Sequence, residues 1–309
     1  MNMHAHPLSD FDTKRRTFIE NAIKSAAALS VLGVHSSYTG YTDLPAKGTY
    51  TVQEIIDLIL KEGNLSVQKN TVDTIKSGKA DQVVTGIITT MFPTISVIEA
   101  AVKRNANFII AHEPSFYNHS DSSDWVKNNS ILKEKQALLE KHKIAIWRFH
   151  DYCHALKPDA ISYGLAKKAN WLPYYKTGEV MLNLPKLSFQ QLVQHLKSSL
   201  GISHLRTIGD PNQVCERIAL LPGAWGGQRQ VSVAESEKPD VLIVGESPEW
   251  ETVEYIRDAR SFGRNISLII LGHAVSEEPG MDWIAEWLQP KLRDIKISHV
   301  ASNDPFTWL

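Results

Sequence analysis

Three apolar runs in this chain end in imidazole and carboxylate side chains set close together. Ile109-Ile110-Ala111 leads into His112-Glu113-Pro114. Ile146-Trp147-Arg148-Phe149 leads into His150-Asp151-Tyr152-Cys153-His154. Ile269-Ile270-Leu271-Gly272 leads into His273, with Glu277 four residues on and Pro279-Gly280 beyond. A single histidine behind a strand is more often a packed loop residue than a ligand. Three such exits together are harder to dismiss, because neutral imidazole and carboxylate oxygen suit zinc, manganese, iron or cobalt. In a helical turn, residues four apart share a face, so His273 and Glu277 would reach one ion together. Gly272 lets the backbone turn away from the preceding strand. An acid near a helix start is also favoured by the helix dipole alone, so this pair does not decide the matter by itself.

Ligands in α/β proteins sit where strands end and loops begin, and the rest of the chain supplies such a frame. The spacing of Val52, Ile55, Ile56 and Ile59 predicts a helix from Thr51 to Gly63. Strands are expected over 83–89, 107–111, 144–149, 217–221, 241–244, 266–271 and 295–300. Helices are expected over 94–103, 129–142, 188–200 with Ser188 as N-cap, 249–262 and 281–292. Continuous apolar strands alternating with helices imply an α/β fold with buried sheets. The 309 residues, 43% of them hydrophobic, are enough for a substantial core. Thirty-three basic against thirty-four acidic side chains disfavour a nucleic-acid binder relying on counterion release. Two cysteines, Cys153 and Cys215, exclude a multi-disulfide scaffold and a four-cysteine zinc site. No run reaches the roughly 18 apolar residues of a membrane span.

Residues 1–47 read as a leader and linker. Lys14-Arg15-Arg16 precedes Thr17-Phe18-Ile19 and the mildly apolar stretch 22–34, a pattern similar to a twin-arginine export signal. The expected location is therefore the periplasm. Glu20, together with Asp10 and Asp12 before the arginines and the absence of a clean Ala-x-Ala cleavage site, leaves a cytoplasmic chain with a plain leader as the alternative.

From about residue 51 onward the chain resembles the NIF-three-like dinuclear-metal family, also called type-two GTP cyclohydrolase-one homologues. The resemblance is carried by Gly272-His273-Ala274-Val275-Ser276-Glu277-Glu278-Pro279-Gly280, by Asp240–Glu246, by the glycine turn 223–227 and by Asp304-Pro305-Phe306. It implies a two-lobed fold with mixed sheets flanked by helices and a metal cleft at the strand carboxyl ends. The lobes are expected at about 48–165 and 215–309, joined by 166–214. It further implies two divalent metal ions, and a homo-hexamer.

The motifs depart from the family at two places. His112-Glu113-Pro114 stands where the family has His-His-Pro, and His154 stands where it has an aspartate. The two changes compensate. His112, Glu113, His154, His273 and Glu277 again give three imidazoles and two carboxylates, so the metal site is expected to be retained but rearranged. Asp151 is the alternative to His154. His150 matches the family's second-motif histidine and is the best sequence candidate for a proton-accepting catalytic group. Arg148 would clamp a phosphate or be a solvated charge, and the glycine turn would form an anion nest or a plain tight turn. Trp250 stands where many members have a histidine.

The expected function is hydrolysis of a small phosphorylated or nucleotide-like substrate by a metal-bound hydroxide. Export would make cytoplasmic GTP a poor substrate. The rival is a non-enzymatic metal-binding oligomeric scaffold, which would have a closed rather than a water-accessible site.

Overall fold

Thr51 opens the first helix, α1 (Val52–Glu62), with a reciprocal cap. Its hydroxyl accepts from the Glu54 N–H, and the Glu54 carboxylate accepts from the Thr51 N–H at 2.9 Å. The structure, a computed structural model, describes residues 48–309; the expected leader and linker over 1–47 lie outside the described residues. Beyond α1 come β1 (Ile75–Ser77), β2 (Ile87–Thr90), α2 (Ile95–Lys103), β3 (Phe108–Ala111), α3 (Ser130–Lys141), β4 (Ala145–Arg148), α4 (Asp151–Ala155) and α5 (Ala160–Lys168). They are followed by β5 (Met181–Ser188), α6 (Phe189–Leu200), β6 (Arg206–Ile208), β7 (Val214–Leu221), α7 (Gly227–Glu237), β8 (Val241–Val244), α8 (Glu254–Ser261), β9 (Ser267–Ile270), α9 (His273–Leu288) and β10 (Ile297–His299).

The strands form two mixed five-stranded sheets flanked by helices, ordered β1-β4-β3-β2-β10 and β5-β7-β8-β9-β6. In each sheet the inner strands run parallel, with antiparallel strands at the edges: β1 in the first, β5 and β6 in the second. Parallel strands covered on both faces favour apolar side chains on both. Ile87, Phe108, Ile110 and Trp147 accordingly face a core shared with α1 and α9, while Ile88, Ile109 and Ile146 face α2 and α3. In the second sheet Ile218, Val241, Ile243 and Ile269 pack under α6, and Leu242, Val244, Leu268 and Ile270 under α7 and α8.

Three features differ from the sequence expectation. Residues 166–214 are not a connector between lobes, because they contribute β5, α6 and β6 to the second sheet. The C-terminal segment returns to the first sheet, where β10 pairs in parallel with β2. The helix expected from Met281 begins at His273 and runs through Pro279. It starts at the carboxyl end of β9 in the second sheet and ends with Met281, Ile284 and Leu288 in the core of the first.

The crossing of α9 with α5 is very close. A Cβ on Gly164 would lie 2.5 Å from the Gly280 Cα and from the Pro279 carbonyl oxygen, and one on Gly280 would lie 2.7 Å from the Ile161 Cα. The obstacles are backbone atoms, so the helices would have to separate. Gly164→Ala is therefore expected to cost about 1–3 kcal/mol, the range for overpacking a tight contact. Urea denaturation reads this as a lowered midpoint; an unchanged midpoint would refute the tight crossing.

Candidate metal centre

Each parallel strand delivers its polar residues where its hydrogen-bonded ladder stops. β3 hands the chain to His112 and Glu113, whose backbone N–H groups donate to the Thr90 and Met91 carbonyls. β4 leads through Phe149 to His150. There Asp73 caps α4, its carboxylate accepting from the N–H groups of His150, Asp151 and Tyr152 at 2.8, 3.1 and 2.8 Å. One helical turn then sets His154 on the same side as His150, with the His154 N–H donating to the His150 carbonyl at 3.1 Å. β9 leads through Leu271 to Gly272, whose φ of +97° makes the turn into α9, so that His273 opens that helix and Glu277 follows one turn later.

The three exits converge. The ring centroids of His112 and His150 lie 4.8 Å apart, and that of His154 is 5.0 Å from each. Donor atoms of His112, His150 and His154 all lie within 4.8 Å of one another, and so do those of His112, Glu113 and Glu277. The His273 Nε2 completes the arrangement, 3.1 Å from Glu277 Oε2 and 3.4 Å from Glu113 Oε1.

The outward side of every imidazole is held. The His112 Nδ1 is 3.1 Å from the Phe149 carbonyl oxygen. A carbonyl only accepts, so Nδ1 carries a proton and Nε2 is the nitrogen an ion would use. That Nε2 is fully buried and has no hydrogen-bond partner. The Nδ1 atoms of His150, His154 and His273 meet carboxylates of Asp151 (2.9 Å), Asp159 (2.9 Å) and Glu246 (3.2 Å). Imidazole held this way at one nitrogen, with the other turned toward a shared point, is the arrangement of a metal ligand. The donor set thus fits a divalent ion on the chemistry of the residues alone.

Electrostatics agree. Burial alone would lower the basicity of His273, but hydrogen bonds to Glu113, Glu246 and Glu277 outweigh it and push its pKa up to about 12. Without metal, its imidazolium is the cation these acids require. Burial also works against ionisation of Glu277, yet His112 and His273 hold its carboxyl well below the usual range. His150 goes the other way: burial and then His112 outweigh Asp151 and lower it to about 4, so it is neutral at ordinary pH.

The structure brings His112, Glu113, His154, His273 and Glu277 together. His150, read from sequence as the proton acceptor, stands with His112 and His154 in one candidate ligand group. Asp151 has both oxygens engaged, one on His150 and the other on the Thr71 hydroxyl and the Val72 N–H. Arg148 is neither a phosphate clamp nor solvated: it is fully buried, 3.1 Å from Glu113 Oε2 and donating to the His112 carbonyl at 3.2 Å. The glycine turn forms a packing contact, with the Gly223 N–H donating to the Ser276 hydroxyl at 2.9 Å. Cys153 is buried, which raises its thiol pKa and keeps it unreactive. Trp250 is exposed and lies outside the cavity above the cluster. That cavity, about 1060 Å³, is walled by Phe92, Trp225, Pro305 and the cluster itself.

The sequence profile of the Duf34/NIF3 (NGG1p interacting factor 3) family matches residues 51–305. The chain belongs to the Duf34/NIF3 family. It is 24% identical over 276 residues to a protein of Clostridium perfringens named GTP cyclohydrolase 1 type 2 homolog, covering 84% of this chain and 97% of that one. A protein of the same name from Clostridium acetobutylicum is 24% identical over 247 residues, 75% of this chain and 88% of the relative. Among solved structures, Staphylococcus aureus protein SA1388 superposes with a TM-score of 0.66 at 19% identity, covering 84% of this chain and 99% of that chain. A Bacillus cereus protein related to NIF3 gives 0.63 at 15% identity, covering 84% and 99%. At these identities the likeness establishes the NIF3 fold.

Gly223 shows how closely the turn is fitted to the cluster. Its φ is +74°, and a Cβ there would fall 1.9 Å from Glu277 Oε1. Gly223→Ala is expected to displace that carboxylate and at least halve bound metal while leaving the far-ultraviolet circular dichroism intact. Full metal occupancy in that variant would contradict the assignment of Glu277.

Proposed function

We propose that the cluster holds two divalent ions and that this NIF3 protein hydrolyses a small phosphorylated or nucleotide-like substrate in the cavity above them. The observation that carries the proposal is the convergence of four imidazoles, each held at Nδ1, on two buried carboxylates at the base of a roomy cavity. His112, His150 and His154 would serve one ion, and Glu113, Glu277 and His273 the other, since His112 has only its Nε2 to offer. When bound, such a pair of ions polarises water and the oxygens of a phosphate ester.

The chain's own groups do the rest. The Phe149 carbonyl, Asp151, Asp159 and Glu246 fix the imidazole tautomers. Against its burial, His273 and His112 keep Glu113 ionised, and Arg148, 3.1 Å from Oε2, holds that oxygen in place. Phe92, which meets His273 edge to face with centroids 5.9 Å apart, walls off water on that side. The name GTP cyclohydrolase carried by the relatives adds a cyclic-amide hydrolysis to the candidates. The cavity supports an enzyme over a purely structural metal site, because a structural site is closed.

The test is elemental analysis joined to a phosphoesterase screen on the full chain and on His112→Ala, His154→Ala and Glu277→Ala. The material would come from the periplasmic fraction, where the leader would send it, and light scattering would check for the expected hexamer. About two ions per chain, lost in each variant together with para-nitrophenyl phosphate turnover, is the expected result. Two ions without turnover of any phosphate ester or cyclic amide would favour the non-enzymatic scaffold. No metal under any loading condition would end both readings.

A further inference from the structure

Lys135 lies on α3, in a helix whose other charges face solvent, yet it is only 5% exposed and lines the cavity of the metal cluster. Its Nζ donates to the Ser115 carbonyl at 2.7 Å and stands 6.0 and 5.7 Å from the ring centroids of Phe116 and Tyr117. Among the described residues no carboxylate oxygen comes within 4.0 Å of it. Asp121, whose charge it feels, is committed elsewhere: one oxygen accepts from the Ser115 and Phe116 N–H groups, the other pairs with Lys76 and Arg148.

An ammonium has three donors, and a buried one is normally paired with a carboxylate. Here one donor is used. Beside it is a second unmet group: Ser115 is 1% exposed, lines the same cavity, and its hydroxyl has no hydrogen-bond partner. A buried ammonium with one of its three donors used and no carboxylate beside it, next to a buried hydroxyl with no partner, demands an explanation.

We propose that Lys135 and Ser115 form an anion-binding subsite of this cavity, which takes a phosphate or carboxylate group of the substrate other than the one presented to the metal cluster. The inference rests on the hydrolase reading and narrows its substrate to small molecules with a second anionic group. Ser115 follows Glu113 by two residues, so their Cα atoms are at most about 7 Å apart and one small molecule spans both. Burial lowers the Lys135 pKa to about 8 against the pull of Asp121, so the ammonium is charged at neutral pH. The competing role is a staple that ties the loop after Glu113 to α3, and the two roles predict opposite effects on stability.

The experiment uses the full chain, metal-loaded and after chelation, titrated with inorganic phosphate and separately with acetate by isothermal calorimetry. At least one anion is expected to bind the chelated protein, and the better of the two identifies the group. Lys135→Met is expected to weaken that binding tenfold or more, keep the metal content, and melt at the same or a higher temperature, since it removes an unpaired buried charge. Lys135→Arg is expected to retain most of the binding. Should Lys135→Met not fold, Ser115→Ala carries the test with a severalfold loss. Wild-type affinity in Lys135→Met, a lower melting temperature with unchanged anion binding, or no binding of either anion to the chelated parent would overturn the subsite. Because these readouts need no turnover, failure of the hydrolase reading and failure of the subsite are told apart.

Discussion

The carboxylate of Glu277 is the constraint on which the centre depends. It is 3% exposed, between the imidazoles of His112 and His273, at 3.4 and 3.1 Å. A carboxylate in so dry a place is tolerable only with cations or donors around it. Much of the neighbouring structure follows from that. The turn at residue 223 must lack a side chain because Glu277 occupies the space, and the Ser276 hydroxyl must lash that turn to α9. The next residue, Glu278, extends the anchoring: its two oxygens accept from the Met91 N–H and from Ser302, so the helix carrying His273 and Glu277 is tied to the segments that follow β2 and β10.

Much of this was legible in the sequence for a definite reason. The inner parallel strands are buried on both faces, so Phe108–Ala111 and Val241–Val244 are unbroken apolar runs, and a run that stops at His112 marks a site. Thr51, Thr94, Asn129 and Ser188 cap their helices as their side-chain chemistry dictates. The edge strands were not legible: Met181–Ser188 contains Pro185, alternates in burial and pairs on one side only, with Val214–Leu221. The start of α9 was hidden by Pro279, which normally ends a helix, whereas here the contact with α5 and the Glu277 and Glu278 anchors hold the segment on both sides of it.

Supporting groups were the least visible. Asp73 reaches α4 from 77 residues away, and nothing in its neighbours announces that role. The part played by His150 depends on the tautomer that Asp151 imposes, a matter of geometry rather than of motif. Lys135 sits in the run Lys133-Glu134-Lys135-Gln136, which reads as a solvated face; only the packing of α3 against the loop after Glu113 buries it. Glu113, where the family resemblance leads one to expect a histidine, also suits its surroundings. The fully buried Arg148 lies beside it, and a carboxylate there pairs with that guanidinium at 3.1 Å where an imidazole would not.

The central claim is that these side chains build one two-metal centre. Crystals of the loaded protein, measured on both sides of the metal absorption edge, test it most directly. Two anomalous peaks are predicted, one bonded to the Nε2 atoms of His112, His150 and His154, and the other to Glu113, Glu277 and His273, with bonds of about 2.0–2.2 Å if the ion is zinc. A single peak away from His150 and His154, or no peak among these six side chains, would contradict it.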